Sequence, residues 1–195
     1  MPNIGDSERK TQNRVVKFFR DKLHYTYLGN LHDSENRNIM QERLHAWLLK
    51  QGYSEKIAAH AVDTLVKTST NLQQGLYHAN KEVYSLLKYG AKVKESVEQS
   101  PKTVYFIDFE DVSKNDFYIA EEVTIVSNNT KRPDIVLYVN GIALAVIELK
   151  KSSVSVSNGI RQNLTNQKSN FIEDFFTTIQ FCMAGNDSEG LRYGT

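Results

Sequence analysis

Two short apolar runs, residues 134–139 and 142–149, are joined by Asn140-Gly141, the strongest short signal for one strand turning directly into the next. Both runs are continuously apolar rather than alternating, which predicts a sheet covered on both faces. The remainder of the chain supplies the cover. Val15, Val16, Phe18, Phe19 and Leu23 recur at helical spacing and predict an amphipathic helix over about 8–24. Further helices are expected over about 39–50, 55–68 (with Ser54 as N-cap) and 72–88, with an irregular connection at 25–31 where Gly29-Asn30 breaks the period. After residue 100 the period changes. Strands are expected over 103–109, 117–126 and 179–183, with helices at about 159–168 and 171–177. The expected fold is α/β: a mixed sheet flanked by helices, with a helical N-terminal subdomain over 1–70 and an α/β core over 71–195.

A chain of 195 residues and 22.3 kDa buries enough surface to need no metal or disulfide staple. Hydrophobic residues make up 40% and charged residues 24%, which excludes wholesale disorder. The single cysteine, Cys182, cannot pair internally and fits a reducing compartment. No apolar stretch is long enough for a membrane span, and the polar first residues lack the core of a signal peptide, so a cytoplasmic protein is expected.

Net charge is +1 and uninformative, but its distribution is not. Residues 131–170 hold the bases Lys131, Arg132, Lys150, Lys151, Arg161 and Lys168, and only two acids, Asp134 and Glu148. That pattern suits a phosphate-facing surface with two carboxylates left in it for chemistry.

Those carboxylates sit at the open end of the hairpin, in Arg132-Pro133-Asp134 and Glu148-Leu149-Lys150. Glu148 and Lys150 are two apart and leave one face of a strand. Whether Asp134 joins them depends on the turn. A two-residue loop pairs Val139 with Ile142 and sends Asp134 to the other face. A three-residue loop, Val139-Asn140-Gly141, or an equivalent bulge, pairs Asp134 with Val146 and converges all three charges. We expect the second arrangement. Two carboxylates close together resist ionising, and a divalent cation resolves the conflict; Mg²⁺ takes oxygen ligands and is held by one or two carboxylates plus phosphate oxygens. Lys150 would then orient or deprotonate a water, or stabilise developing charge. The same residues, read by spacing alone, also suit a turn cap at Asp134 and a surface ion pair between Glu148 and Lys150.

At these residues the chain resembles the PD-(D/E)xK nucleases, and more narrowly the N-terminal endonuclease region of the type I restriction enzyme R subunit. The resemblance is carried by residues 80–90, by Arg132-Pro133-Asp134, by Ile147-Glu148-Leu149-Lys150-Lys151, by Gly159-Ile160-Arg161-Gln162-Asn163, by Phe175-Phe176, by Met183-Ala184-Gly185-Asn186 and by residues 190–195. It implies a restriction-endonuclease-like core, Asp134 and Glu148 as Mg²⁺ ligands, Lys150 as the catalytic lysine, and double-stranded DNA as substrate. It also implies a glutamine on the following helix with a tyrosine four residues on. Gln162 fits the first position, but Asn166 stands at the second; the alternative register, Gln167 with Phe171, supplies an aromatic without a hydroxyl. Glu82 is a possible supporting acid on the helix before the sheet. Lys131, Arg132, Lys151, Arg161 and Lys168 are candidates for the DNA backbone.

The resemblance further implies methylation and specificity subunits as partners, and ATP-driven translocase domains in the rest of the subunit. No G-x-x-x-x-G-K-[ST] loop occurs here, so ATP use is expected of that remainder and the chain is expected to be a truncated piece. Two rival functions are a non-catalytic docking module with a decayed site and a free-standing repair or junction nuclease of the same fold.

Overall fold

The computed structural model describes residues 8–96, 98 and 100–194. In chain order these form α1 (Glu8–Asp21), β1 (Thr26–Asn30), α2 (Gln41–Lys50), α3 (Glu55–Ser69), α4 (Leu76–Tyr89), β2 (Ala91–Val93), β3 (Lys102–Val104), β4 (Phe117–Glu121), β5 (Ile125–Val126), β6 (Thr130–Lys131), β7 (Ile135–Val139), β8 (Ile142–Leu149), α5 (Val156–Asn166), β9 (Phe181–Asn186) and β10 (Gly190–Gly194). Short 3-10 segments occupy Val112–Lys114 and Glu173–Thr177. The fold is α/β, as expected. A six-stranded mixed sheet runs in the order β1-β4-β7-β8-β9-β10, with β1 parallel to β4 and β8 parallel to β9.

Residues 25–31 are not the irregular connection expected. Thr26–Asn30 forms an edge strand on β4, held by a partner some ninety residues away, which overrides the local break at Gly29. The last strand, β10, was not anticipated; its five residues are all exposed and it is fixed by antiparallel pairing with β9.

One face of the sheet packs on α1, through Val16 against Ile119, Ile135, Leu137, Ala145, Ile147 and Leu149. The opposite face carries Val136, Tyr138, Ala143 and Val146 and packs on Ile172, Phe175, Phe176 and Ile179. This accounts for the unbroken apolar character of β7 and β8: alternate residues go to two separate cores. A third core gathers Leu44, Trp47, Leu48, Ile57, Leu65 and Val83 of α2, α3 and α4, and reaches the sheet at Ile142, next to the hairpin tip.

The tip departs from the expected three-residue loop. Val139 pairs with Ile142, so the loop is the two residues Asn140 and Gly141, both at positive φ (53° and 89°). Tertiary contacts favour this form. The buried Asn140 side chain accepts from Asp116 N (2.7 Å) and donates to Phe106 O and Asn115 Oδ1 (both 2.8 Å), so its amide is satisfied only with the turn in this place. The bulge lies further along. Tyr138 pairs with Ala143 but Leu137 with Ala145, leaving Leu144 as one residue too many in β8. Beyond it Ile135 faces Ile147, and the same register sets Asp134 opposite Glu148 rather than Val146. The bulge restores the parity that the shorter loop removes, so both acids leave the same face.

Candidate active site

Asp134 precedes β7, and Glu148 and Lys150 lie at and just past the end of β8. The Asp134 carboxylate is fixed across the ladder: its Oδ2 accepts from Leu149 N at 2.6 Å. Lys150 Nζ lies 3.9 Å from Glu148 Oε2 and donates to Leu149 O at 2.8 Å. The three side chains singled out in the sequence therefore meet at one end of the hairpin.

Glu148 is fully buried, at 0% exposure. Helix α5 covers it, because residue 159 is glycine: a Cβ there would stand 2.9 Å from Ala184 Cβ and 3.5 Å from Glu148 Cβ. Neither carboxylate oxygen of Glu148 has a hydrogen-bond partner. Burial pushes its carboxyl well above the usual range, and the neighbouring Asp134 raises it further against the pull of Lys150. Burial also pushes Asp134 up to about 6, although the Leu149 amide and Lys150 work in the opposite direction.

A second buried acid shows how unusual this is. Glu121, at 5% exposure on the other face of the sheet, accepts from Tyr27 OH (2.6 Å), Arg9 Nη2 (3.1 Å) and Gln12 Nε2 (3.2 Å). Glu121 has donors on both carboxylate oxygens; Glu148 has none, only the long ion pair to Lys150.

Residues remote in sequence complete the surroundings. Glu8, at the start of α1, adds negative charge that raises both Asp134 and Glu148, and Glu122 raises Asp134 as well. Glu122 sits at a φ of 51° and donates its amide to Asp134 O at 2.9 Å. Gln12 Nε2 bridges Glu122 Oε1 (3.1 Å) and Asp134 O (3.2 Å). No spacing in the sequence links positions 8, 12 or 122 to position 134, so reading along the chain had no means of finding them.

The other candidates are more scattered. Gln162 is half-buried on α5 and is hydrogen-bonded to none of Asp134, Glu148 or Lys150; Gln167 Nε2 instead meets Cys182 Sγ at 3.5 Å. Asn166, where the tyrosine was sought, is buried. Glu82 is exposed on α4 and lines a cleft with Lys67 and His78 rather than with the acid pair. Lys131 Nζ sits 4.7 Å above the Phe171 ring, Arg132 Nε donates to Thr124 Oγ1 (3.0 Å), and Arg161 Nη1 donates to Asn158 Oδ1 (3.2 Å). Lys151 and Lys168 are exposed, the latter on a groove shared with Leu76 and Arg192.

Among the described residues no three His, Cys, Asp or Glu side chains form a cage for a metal ion. Mg²⁺ does not need one, since it keeps several waters and takes one or two carboxylates together with phosphate oxygens. The unpartnered oxygens of Glu148 beside Asp134 fit that demand.

Helices on both sides of a mixed sheet, with an Asp and a Glu-x-Lys facing each other at the hairpin's open end, define the class of chain. The family described as "Type I restriction enzyme R protein N terminus" matches residues 5–195, and the chain belongs to it. Among its relatives is a putative type I restriction enzyme MjaIXP endonuclease subunit of Methanocaldococcus jannaschii, 29% identical over 138 residues, which are 66% of this chain and 13% of the relative. The type I restriction enzyme HindI endonuclease subunit of Haemophilus influenzae is 37% identical over 95 residues (46% and 9%). A putative MjaVIIP endonuclease subunit of M. jannaschii is 34% identical over 107 residues (53% and 10%). The chain thus spans about a tenth of the length of the relatives it matches. No helix among the described residues is long and apolar enough to cross a membrane.

Proposed function

We propose that this chain is the metal-dependent endonuclease domain of a type I restriction enzyme R subunit. In this reading it hydrolyses phosphodiesters of double-stranded DNA in the cytoplasm, after ATP-driven translocation by motor domains elsewhere in the subunit. The observation that carries it is the contrast between Glu121 and Glu148: one buried carboxylate has three donors, the other has none. A buried acid without a hydrogen-bond donor, beside a second acid, stays in place by keeping its proton or by giving that place to a cation.

Asp134 and Glu148 would hold Mg²⁺, which when bound would polarise the scissile phosphate and lower the pKa of a water. Asp134 is oriented for this by the Leu149 amide, and Glu148 by the cover of α5. Lys150 needs only to exchange its bond to the Leu149 carbonyl for one to a water or a phosphate oxygen, where its charge opposes the charge developing in the transition state. Gln162 is a weaker candidate for a contact to Lys150 or to the DNA backbone. Lys131, Arg132, Lys151, Arg161 and Lys168 would hold phosphates without reading sequence, a task left to specificity and methylation subunits. The names of the relatives, all endonuclease subunits, support the assignment.

The test uses the full-length subunit in its restriction complex with Mg²⁺, ATP and unmodified DNA. Asp134→Ala should abolish cutting and Lys150→Ala should leave only a slow residual rate, both with ATP hydrolysis intact. Cutting that survives both changes would leave only a docking role.

A further inference from the structure

Lys150 is the last residue of its strand to bond into the sheet, its amide donating to Gly185 O at 2.9 Å. Past that point the chain leaves the sheet and turns, with Val154 N donating to Lys151 O (2.8 Å), before α5 begins. Lys150 stands at the join, held by the sheet on its amide side and followed by the loop on its carbonyl side, so the loop's anchors share in aiming the lysine.

The anchor is the turn between β9 and β10. Asn186, only 5% exposed, folds the turn on itself by accepting from Ser188 N (3.0 Å) and Glu189 N (2.6 Å). Its Nδ2 donates to Val154 O at 2.7 Å. Ser188 Oγ donates to Ser152 O at 2.9 Å, and Glu189 Oε1 accepts from Val156 N, the first amide of α5, at 3.0 Å. Glu189 therefore satisfies one of the amides that a helix start leaves without a partner. The same turn reaches the other side of the molecule. Asp187 accepts from Thr11 Oγ1 (2.8 Å) and is paired with Arg14, both on α1, the helix whose Gln12 holds the Asp134 carbonyl. Four consecutive residues thus clasp the loop after Lys150, the start of the helix that covers Glu148, and the helix that supports Asp134.

We infer that Asn186 and Glu189 are positioning residues for Lys150, acting through the 151–155 loop without touching DNA or metal. The inference rests on the nuclease reading above. A misplacement of about 1 Å at a reacting group costs on the order of 100-fold in rate, so loosening the loop should slow cutting while the acid pair stays as it is.

Single-turnover cutting is measured for the full-length subunit in its complex as wild type, Asn186→Ala, Lys150→Ala and the double variant, with Mn²⁺ binding followed by electron paramagnetic resonance. Asn186→Ala is expected to slow cutting about 100-fold, to leave Mn²⁺ affinity unchanged, and to add nothing to the loss from Lys150→Ala. Multiplying losses in the double variant, a fall in Mn²⁺ affinity that tracks the rate, or wild-type cutting by Asn186→Ala would overturn this inference alone. Wild-type cutting by Lys150→Ala would overturn the nuclease reading and this inference with it. Glu189 supplies the test should Asn186→Ala fail to fold. Glu189→Gln keeps the oxygen that accepts from Val156 N and should cut normally, and Glu189→Ala should not; equal rates for the two would refute the positioning role.

Discussion

Asp134 and Glu148 leave the same face of the hairpin because β8 carries one residue, Leu144, that β7 does not match. With Leu144 in the strand, the acid pair depends on that bulge, since side chains alternate and a slip of one residue reverses every direction.

Deleting Leu144 should leave the acids together. The two-residue turn at Asn140-Gly141 is fixed by its own bonds, and removing the unmatched residue makes the hairpin regular with Leu137 still opposite Ala145 and Ile135 opposite Ile147, so Asp134 still faces Glu148. The expected result is Mn²⁺ binding retained, read by isothermal titration calorimetry. Loss of Mn²⁺ binding in a folded variant would show that the bulge does more than set the register.

The acid pair should also make stability depend on pH in an uncommon direction. Asp134 ionises at about 6 in the folded chain, against an ordinary value of 3.8. Between these two pH values the unfolded chain has released the proton and the folded one keeps it. Stability should fall as pH rises through this window and level off above it for Asp134, with Glu148, whose carboxyl is also raised by burial, adding a fall of the same sign. Asp134→Asn removes the part due to Asp134. In metal-free protein it should stabilise by up to roughly 3 kcal/mol at pH 8 and by nothing at pH 3, as measured by urea unfolding.

Metal binding should release protons for the same reason. Near pH 6 Asp134 is half protonated, burial also favours the proton on Glu148, and a ligand carboxylate must give up its proton. Mn²⁺ affinity should rise steeply from pH 5 to pH 8, and calorimetry in buffers of different ionisation enthalpy should register proton release that shrinks as pH rises.

Much of this arrangement was legible in the chain. Continuous apolar runs and Asn-Gly gave the central hairpin, and two-residue spacing placed Glu148 with Lys150. The loop length was not legible, because Asn-Gly suits either turn and the choice is made by Phe106, Asn115 and Asp116, remote in sequence. Strand β1 was hidden by Gly29-Asn30 and exists through its pairing with β4. Glu8, Gln12 and Glu122 reach the site across the fold, a relationship that local periodicity does not encode.

Gly159 offers a test of the cover over Glu148. Replacing an exposed mid-helix glycine with alanine ordinarily stabilises by about 0.5–1 kcal/mol. Here the new Cβ would meet Ala184 Cβ at 2.9 Å, and neither atom can swing aside. Overpacking of this kind costs about 1–3 kcal/mol, so the clash should win and Gly159→Ala should destabilise. Adding Ala184→Gly should recover most of the loss in thermal unfolding.

The central claim is that Asp134 and Glu148 share a cation. It is tested most directly by anomalous scattering from a crystal soaked in Mn²⁺ near pH 8. The account predicts a single strong peak within coordinating distance of both carboxylates. A well-ordered crystal with no density between them, or with Lys150 Nζ filling that space as a closed ion pair, would contradict it.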